Sequence, residues 1–225
     1  MKGVDYYMKE RIAVLFDLDG VIVDTAKHHY LAWKQLAEEL GFNFTVEDNE
    51  RLKGVSRMDS LNILLDIGQV KVSEAEKVEL ATRKNRRYVE SISHMDESEI
   101  LPGVSVFLAE LKTNNIPFAL GSASKNAPLI LEKIGLYHAF DAIIDGNSIV
   151  NAKPDPEVFL LGADALNVAK ENCVVFEDAQ SGIEAGKRAG MKVVAVGDQR
   201  ILTGADDYIE SMEDTSLSRI KDLFF

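Results

Sequence analysis

Ile12-Ala13-Val14-Leu15-Phe16 is an unbroken apolar run, and Asp17-Leu18-Asp19-Gly20 follows it directly. A short continuous run rich in β-branched and aromatic residues reads as a strand buried on both faces, as strands of parallel sheets are. The pattern recurs at Phe118–Leu120, Ala142–Ile144, Val174–Phe176 and Val193–Val196, each leading into a turn that bears Gly or Asp. Between the later runs lie helical patterns. In Val104–Thr113 the apolar Val104, Phe107, Leu108 and Leu111 fall at helical spacing, and Pro128–Leu136, Asp155–Leu166 and Ser181–Ala189 behave similarly. Strands that alternate with helices predict an α/β fold, a doubly wound parallel sheet with helices on both faces.

The alternation breaks between Thr25 and about Ser98, where no strand pattern occurs. Ala26–Leu40 sets His29, Trp33, Leu36 and Leu40 on one helical stripe, with Gly41 placed to end the helix. Asn49–Gly54, Asp59–Ile67 and Ser73–Ile92 are also helical in pattern, and Ser73-Glu74-Ala75-Glu76 has the form of a capping box. The expected organisation is an α/β core of residues 1–24 and 100–225, with an all-helical domain, residues 25–99, inserted after the first strand. Met1–Glu10 reads as an extension ahead of that strand.

Composition narrows the function. The chain has 225 residues, 46% of them hydrophobic, enough for a real core and too many for a disordered chain. Asp and Glu outnumber Lys and Arg by 37 to 25, so no basic surface stands ready for a nucleic-acid backbone. The single cysteine, Cys173, begins an apolar run, so it reads as a core thiol of a protein kept in a reducing compartment. No stretch is apolar enough for a leader or a membrane span. The expectation is a cytoplasmic, monomeric protein with no membrane or nucleic-acid partner.

Sites in doubly wound sheets lie at the carboxyl ends of the strands. Here those ends offer Asp17 and Asp19, then Ser122-Ala123-Ser124-Lys125-Asn126, then Lys153-Pro154, then Glu177-Asp178. A carboxylate can attack phosphorus and form an acyl phosphate. Carboxylate and phosphate repel each other, so a divalent cation belongs between them, and Mg²⁺ suits carboxylate, carbonyl and phosphate oxygens. Asp17 and Asp178 are the candidate ligands. Lys153 is placed to neutralise the phosphoryl oxygens, Ser122 and nearby backbone N–H groups to bind them, and Asp19 to act as general acid and base. These residue types support phosphoryl transfer to and from a small phosphorylated substrate. A hydrolase and a non-catalytic phosphate binder are the alternatives, though a degenerate binder usually loses part of such a set.

Taken together, Asp17-Leu18-Asp19-Gly20-Val21, Ser122, Lys153-Pro154-Asp155-Pro156 and Glu177-Asp178 resemble the haloacid dehalogenase superfamily of phosphotransferases, with the helical insertion resembling its C1 cap. Asp24-Thr25-Ala26 with His29 and Trp33, Leu52-Lys53-Gly54-Val55-Ser56-Arg57, Arg83-Lys84-Asn85 and Ser122–Asn126 resemble the β-phosphoglucomutase family within it. That resemblance implies a Mg²⁺-dependent mutase interconverting β-glucose 1-phosphate and glucose 6-phosphate through glucose 1,6-bisphosphate. It makes Asp17 the nucleophile and Asp19 the acid and base, with Asp17, the Asp19 carbonyl, Glu177 and Asp178 around the metal. It assigns the substrate and its phosphates to Thr25, His29, Trp33, Lys53, Gly54, Val55, Ser56, Arg57, Lys84, Ser122, Ala123, Ser124, Lys125, Asn126 and Lys153, with the cap closing over the sugar. Ala179 stands where many relatives carry Ser. His28, His94 and His138 read as packing or surface residues, Gly182 to Gly190 as close helix–sheet packing, and Asp206, Asp207, Glu210, Glu213 and Asp214 as a solvated acidic edge.

Overall fold

The structure is a computed structural model that describes residues 11–52 and 56–224. The chain forms two compact units. One runs to Asp24 and resumes at Met95; the other is Thr25–His94.

The first unit is built on strands β1 (Ala13–Phe16), β2 (Phe118–Gly121), β3 (Ala142–Ile144), β4 (Cys173–Glu177), β5 (Lys192–Val196) and β6 (Asp207–Ile209). They form one sheet in the order β3-β2-β1-β4-β5-β6, every pair parallel. β1 pairs with β2 on one side and β4 on the other, with Leu15 level with Ala119 and Val175. Strand order therefore reverses at β1, the place where ligand crevices open in such sheets.

Successive side chains of each strand serve opposite faces. Ala13, Leu15, Ala119, Val175 and Val193 share a core with Phe159 of the helix α7 (Glu157–Leu166) and Ile183 of α8 (Gln180–Ala189). On the alternate register, Phe16 stacks on Phe176 with ring centres 5.4 Å apart. It meets Phe118, Phe140 and, on helix α5 (Val104–Thr113), Phe107 edge-on at 6.0–6.3 Å. Offset and edge-to-face pairs are the favoured aromatic geometries, so this cluster adds to what burial alone contributes.

β6 lies where the sequence reading has only a solvated edge. Asp206 accepts from the Val193 N–H at 2.8 Å and from Lys187, and Asp207 accepts from Arg219. A three-residue edge strand with one fully buried residue, Ile209, leaves no apolar run to be read. The remaining helices of this unit are α6 (Ala127–Lys133) and α9 (Leu217–Lys221).

The helical unit comprises α1 (Ala26–Glu39), α2 (Val46–Glu50), α3 (Arg57–Gly68) and α4 (Glu74–Ile92). Trp33, Leu36, Phe44, Leu61, Leu64 and Leu80 form its core. Ser73 and Glu76 make the expected capping box, Ser73 Oγ accepting from the Glu76 N–H and Glu76 Oε2 from the Ser73 N–H. Thr45 and Asp48 form a second one at α2. The helix expected over Asn49–Gly54 lies earlier, at Val46–Glu50, because that capping box sets its start.

The return crossing falls in the polar stretch 94–101, where the sequence puts it, but the sheet unit resumes at Met95, a few residues before the expected boundary at 99. Met95 is buried there, Val23 bridges Ile100, and the Leu101 N–H donates to the Ile22 carbonyl at 2.9 Å. The extension Met1–Glu10 lies outside the described residues. No helix among the described residues is long and apolar enough to cross a membrane.

Leu15 is fully buried at the centre of the sheet. Leu15→Ala should lower the stability of the sheet unit by about 2–5 kcal/mol, read from urea unfolding followed by circular dichroism.

Candidate active site

Asp17 follows β1, and its backbone N–H donates to the Phe176 carbonyl at 3.0 Å. The ladder thus fixes its backbone against β4. Its carboxylate accepts from the Lys153 ammonium. Lys153 Nζ also donates to Glu177 Oε1 at 2.8 Å and to the Gly121 carbonyl at 2.9 Å, which uses all three of its protons. Its ammonium lies 4.6 Å from the centre of the Phe159 ring. One buried cation therefore ties together the ends of β1, β2 and β4.

The charges are mutually dependent. Burial alone would lower the Lys153 pKa, but Asp17 and Glu177 outweigh it and hold the lysine above its ordinary value. Glu177 is raised, first by burial and further by Asp17, with Lys153 opposing. Asp178 is pushed up to about 8 by burial and by the carboxylates of Asp17, Glu177 and Asp19. One lysine does not balance these carboxylates.

Oxygens of Asp17, Glu177 and Asp178 lie within 4.8 Å of one another. A cluster of hard oxygen donors carrying excess negative charge fits a small divalent cation such as Mg²⁺. Glu177 is further fixed by the Ala179 N–H, which donates to its Oε2 at 2.8 Å. The backbone amide does this without the hydroxyl that a Ser at position 179 would add. Gly182, in the first turn of α8, leaves the room Glu177 occupies: a Cβ there would lie 1.7 Å from Glu177 Oε1. This is close helix–sheet packing, as the stretch Gly182 to Gly190 leads one to expect, and Gly186 packs as closely against Val193.

After β2, Ser122 is buried, its N–H donates to the Ile144 carbonyl and its Oγ accepts from the Ser124 N–H at 3.1 Å. Ser124 Oγ accepts from the Asn126 N–H, and Lys125 is exposed. Asp19 sits two residues past Asp17 in the turn that brings Val23 back alongside it.

The helical unit holds a second cluster. Lys84 is only 3% exposed, with its Nζ 2.8 Å from His29 Nδ1 and 4.5 Å from the centre of the Trp33 ring. His29 stacks on Tyr88 at 3.9 Å, and the Tyr88 hydroxyl donates to Thr25 Oγ1 at 3.3 Å. Burial, then the charge of Arg57, lowers the Lys84 pKa to about 7. Burial, then Lys84 and Arg57, holds His29 well below its ordinary value, so the ring is neutral at pH 7. With Lys84 as donor, His29 Nδ1 accepts and the ring proton sits on Nε2. Arg57 begins α3 behind its N-cap Ser56, whose hydroxyl donates to Asp59.

Within each unit the expected residues converge: Asp17, Lys153, Glu177 and Asp178 in one, Thr25, His29, Trp33 and Lys84 in the other. Lys53, Gly54 and Val55 lie outside the described residues. Tyr88 was missed, although its spacing of four from Lys84 puts both on one helical face. His28 is a packing residue as expected, buried and bonded through Nδ1 to Ser91 Oγ. Cys173 is buried and its thiol is pushed up to about 12 by burial, so it is chemically quiet.

Comparison with known proteins agrees with this geometry. Residues 14–196 match the model of the haloacid dehalogenase-like hydrolases. The chain is 45% identical to the β-phosphoglucomutase of Bacillus subtilis over 207 residues, 91% of this chain and 92% of that protein. It is 35% identical to a phosphorylated carbohydrates phosphatase of Thermotoga maritima, over 80% of this chain and 82% of that one. The crystal structure of a β-phosphoglucomutase from Clostridium difficile superposes with a TM-score of 0.86 at 43% identity, covering 95% of this chain and 96% of that one.

The buried lysine of the helical unit has a measurable signature. Its folded pKa, about 7, lies below its ordinary 10.5. Between those values the unfolded chain holds a proton that the folded chain has released, so Lys84 makes stability rise with pH. The stability of Lys84→Met relative to wild type should therefore fall by ~1–2 kcal/mol between pH 6 and pH 9, measured by urea unfolding. Parallel pH profiles of the two proteins would refute this.

Proposed function

The chain belongs to the haloacid dehalogenase-like hydrolase family, and from that premise we propose that it is a phosphosugar mutase, interconverting β-D-glucose 1-phosphate and glucose 6-phosphate through an aspartyl-phosphate enzyme and glucose 1,6-bisphosphate. The observation that carries the chemistry is the Lys153 ammonium joined to both Asp17 and Glu177. A carboxylate so held is oriented for attack and has its charge partly offset, which an attack on an anionic phosphoryl group requires.

Asp17 attacks phosphorus and becomes the acyl phosphate while the sugar oxygen departs. Asp19 gives that oxygen a proton, and later takes one from the sugar hydroxyl that reclaims the phosphoryl group. Lys153 keeps Asp17 in line and neutralises charge on the phosphoryl oxygens; Ser122 and the N–H groups after β2 bind those oxygens. Asp17, Glu177, Asp178 and the Asp19 carbonyl would hold Mg²⁺, which supplies charge neutralisation between nucleophile and phosphate.

A mutase must also grip a phosphate that is not being transferred. The sheet unit offers Ser124, Lys125 and Asn126 for it, and the helical unit offers Lys53, Gly54, Val55, Ser56 and Arg57; Thr25, His29, Trp33 and Lys84 are the helical unit's groups for the sugar or for access to it. The similarity to a β-phosphoglucomutase over nine-tenths of the chain, both units included, favours this reading over the hydrolase seen in the Thermotoga relative.

Supplied with Mg²⁺, β-glucose 1-phosphate and a trace of glucose 1,6-bisphosphate, the protein should form glucose 6-phosphate with little free phosphate. Phosphate release without isomerisation would make it a phosphatase. Asp17→Asn should abolish the phosphoenzyme detected by mass spectrometry, and retained turnover would remove Asp17 from its role. Arg57→Ala should raise KM for β-glucose 1-phosphate about tenfold or more, as loss of a charged phosphate contact does.

A further inference from the structure

The turn after β3 is not among the groups assigned to the reaction, yet it holds a buried charge. Asp145 is 7% exposed. Its carboxylate accepts from the Asn147 N–H at 3.0 Å, the Asn147 side-chain amide at 2.8 Å, the Ser148 N–H at 3.1 Å and the Ser148 hydroxyl at 2.9 Å. Burial would raise its pKa, but these four bonds outweigh that and keep it below its ordinary value. The carboxylate thus stays ionised and the turn stays closed around it.

The turn then reaches the loop after β2. The Gly146 N–H donates to the Ser124 carbonyl at 3.2 Å, and the Asn147 amide donates its second proton to the Lys125 carbonyl at 3.3 Å. Gly146 also lies so close that a Cβ would fall 2.2 Å from the Ala123 carbonyl oxygen. Three successive loop residues therefore meet the turn through their carbonyl groups. The loop carries no regular structure between Gly121 and Ala127. Its own bonds are local, Ser122 Oγ to the Ser124 N–H and Ser124 Oγ to the Asn126 N–H, so the turn supplies the contacts that tie its carbonyls to the sheet unit.

We propose that Asp145, Gly146 and Asn147 form a positioning turn that presets the Ser122–Asn126 loop to receive the sugar phosphate. Asp145 shapes the turn, Asn147 and Gly146 hold the loop, and none of the three touches the transferring phosphoryl group. This rests on the reading of Ser124, Lys125 and Asn126 as substrate-phosphate residues. Ordering a loop when ligand binds weakens affinity, and a turn that orders it beforehand removes that cost.

The test compares Asn147→Ala, Gly146→Ala and Lys125→Ala. Asn147 is exposed, so its replacement leaves the fold intact, and the unfolding midpoint checks this. Asn147→Ala should raise KM for β-glucose 1-phosphate about five- to tenfold while kcat stays within about twofold. Gly146→Ala should raise KM further, because the added methyl drives the loop away. The rate of phosphoenzyme formation from acetyl phosphate, which carries only the transferring group, should match wild type in both. Unchanged KM in Asn147→Ala and Gly146→Ala, with KM raised in Lys125→Ala, would overturn the positioning turn and leave the loop's role standing. Unchanged KM in all three would overturn both. An equal fall in kcat and in reactivity toward acetyl phosphate would show the turn acting on Asp17, and would also overturn the proposal.

Discussion

A lysine ammonium buried among carboxylates is the constraint from which the rest of the sheet unit follows. Removing an ion from water is costly unless it is paired and every proton is bonded. Lys153 meets both conditions, with Asp17, Glu177 and the Gly121 carbonyl. Those partners come from three strand ends, so the sheet must hold β2, β1 and β4 in register for the lysine to be satisfied. The dependence also runs the other way. Glu177 is buried, and burial with the charge of Asp17 raises its pKa in spite of Lys153 and the Ala179 N–H. The excess of carboxylate over lysine is the feature that makes the cluster receptive to a divalent cation.

The helical unit solves a similar problem differently. Among the described residues Lys84 bonds no carboxylate; it has a neutral imidazole and the faces of Trp33 and Tyr88. Aromatic faces offset only part of the lost hydration. The lysine accordingly sits near the midpoint of its titration at neutral pH, whereas Lys153 stays charged.

How legible all this was depended on the kind of signal. Central strands read directly, because burial on both faces demands continuous apolar runs such as Leu15-Phe16 and Val174-Val175-Phe176. Asp17, Lys153, Glu177 and Asp178 read well too, since strand ends name the places where side chains converge. β6 was hidden, because an edge strand with one buried residue needs no apolar run. The return crossing was legible to within a few residues from the polar run Asp96, Glu97 and Glu99, but not its exact boundary, because the contact that anchors the segment, Val23 with Ile100, joins residues far apart in sequence. Gly182 read as close packing of helix on sheet, but that its neighbour is Glu177 did not, and the turn at Asp145 was beyond reach in the same way. Their roles lie in which atoms they approach, and no periodicity records that.

The bridge between Val23 and Ile100 has a consequence of its own. The two places where the chain leaves and rejoins the sheet unit are neighbours, fastened by backbone bonds that belong wholly to that unit. Whatever is inserted there spans almost no gap, so its length and fold are not dictated by the sheet. The seam works as a socket: the sheet unit closes on itself across it, and its own bonds set no particular length or fold for what is inserted.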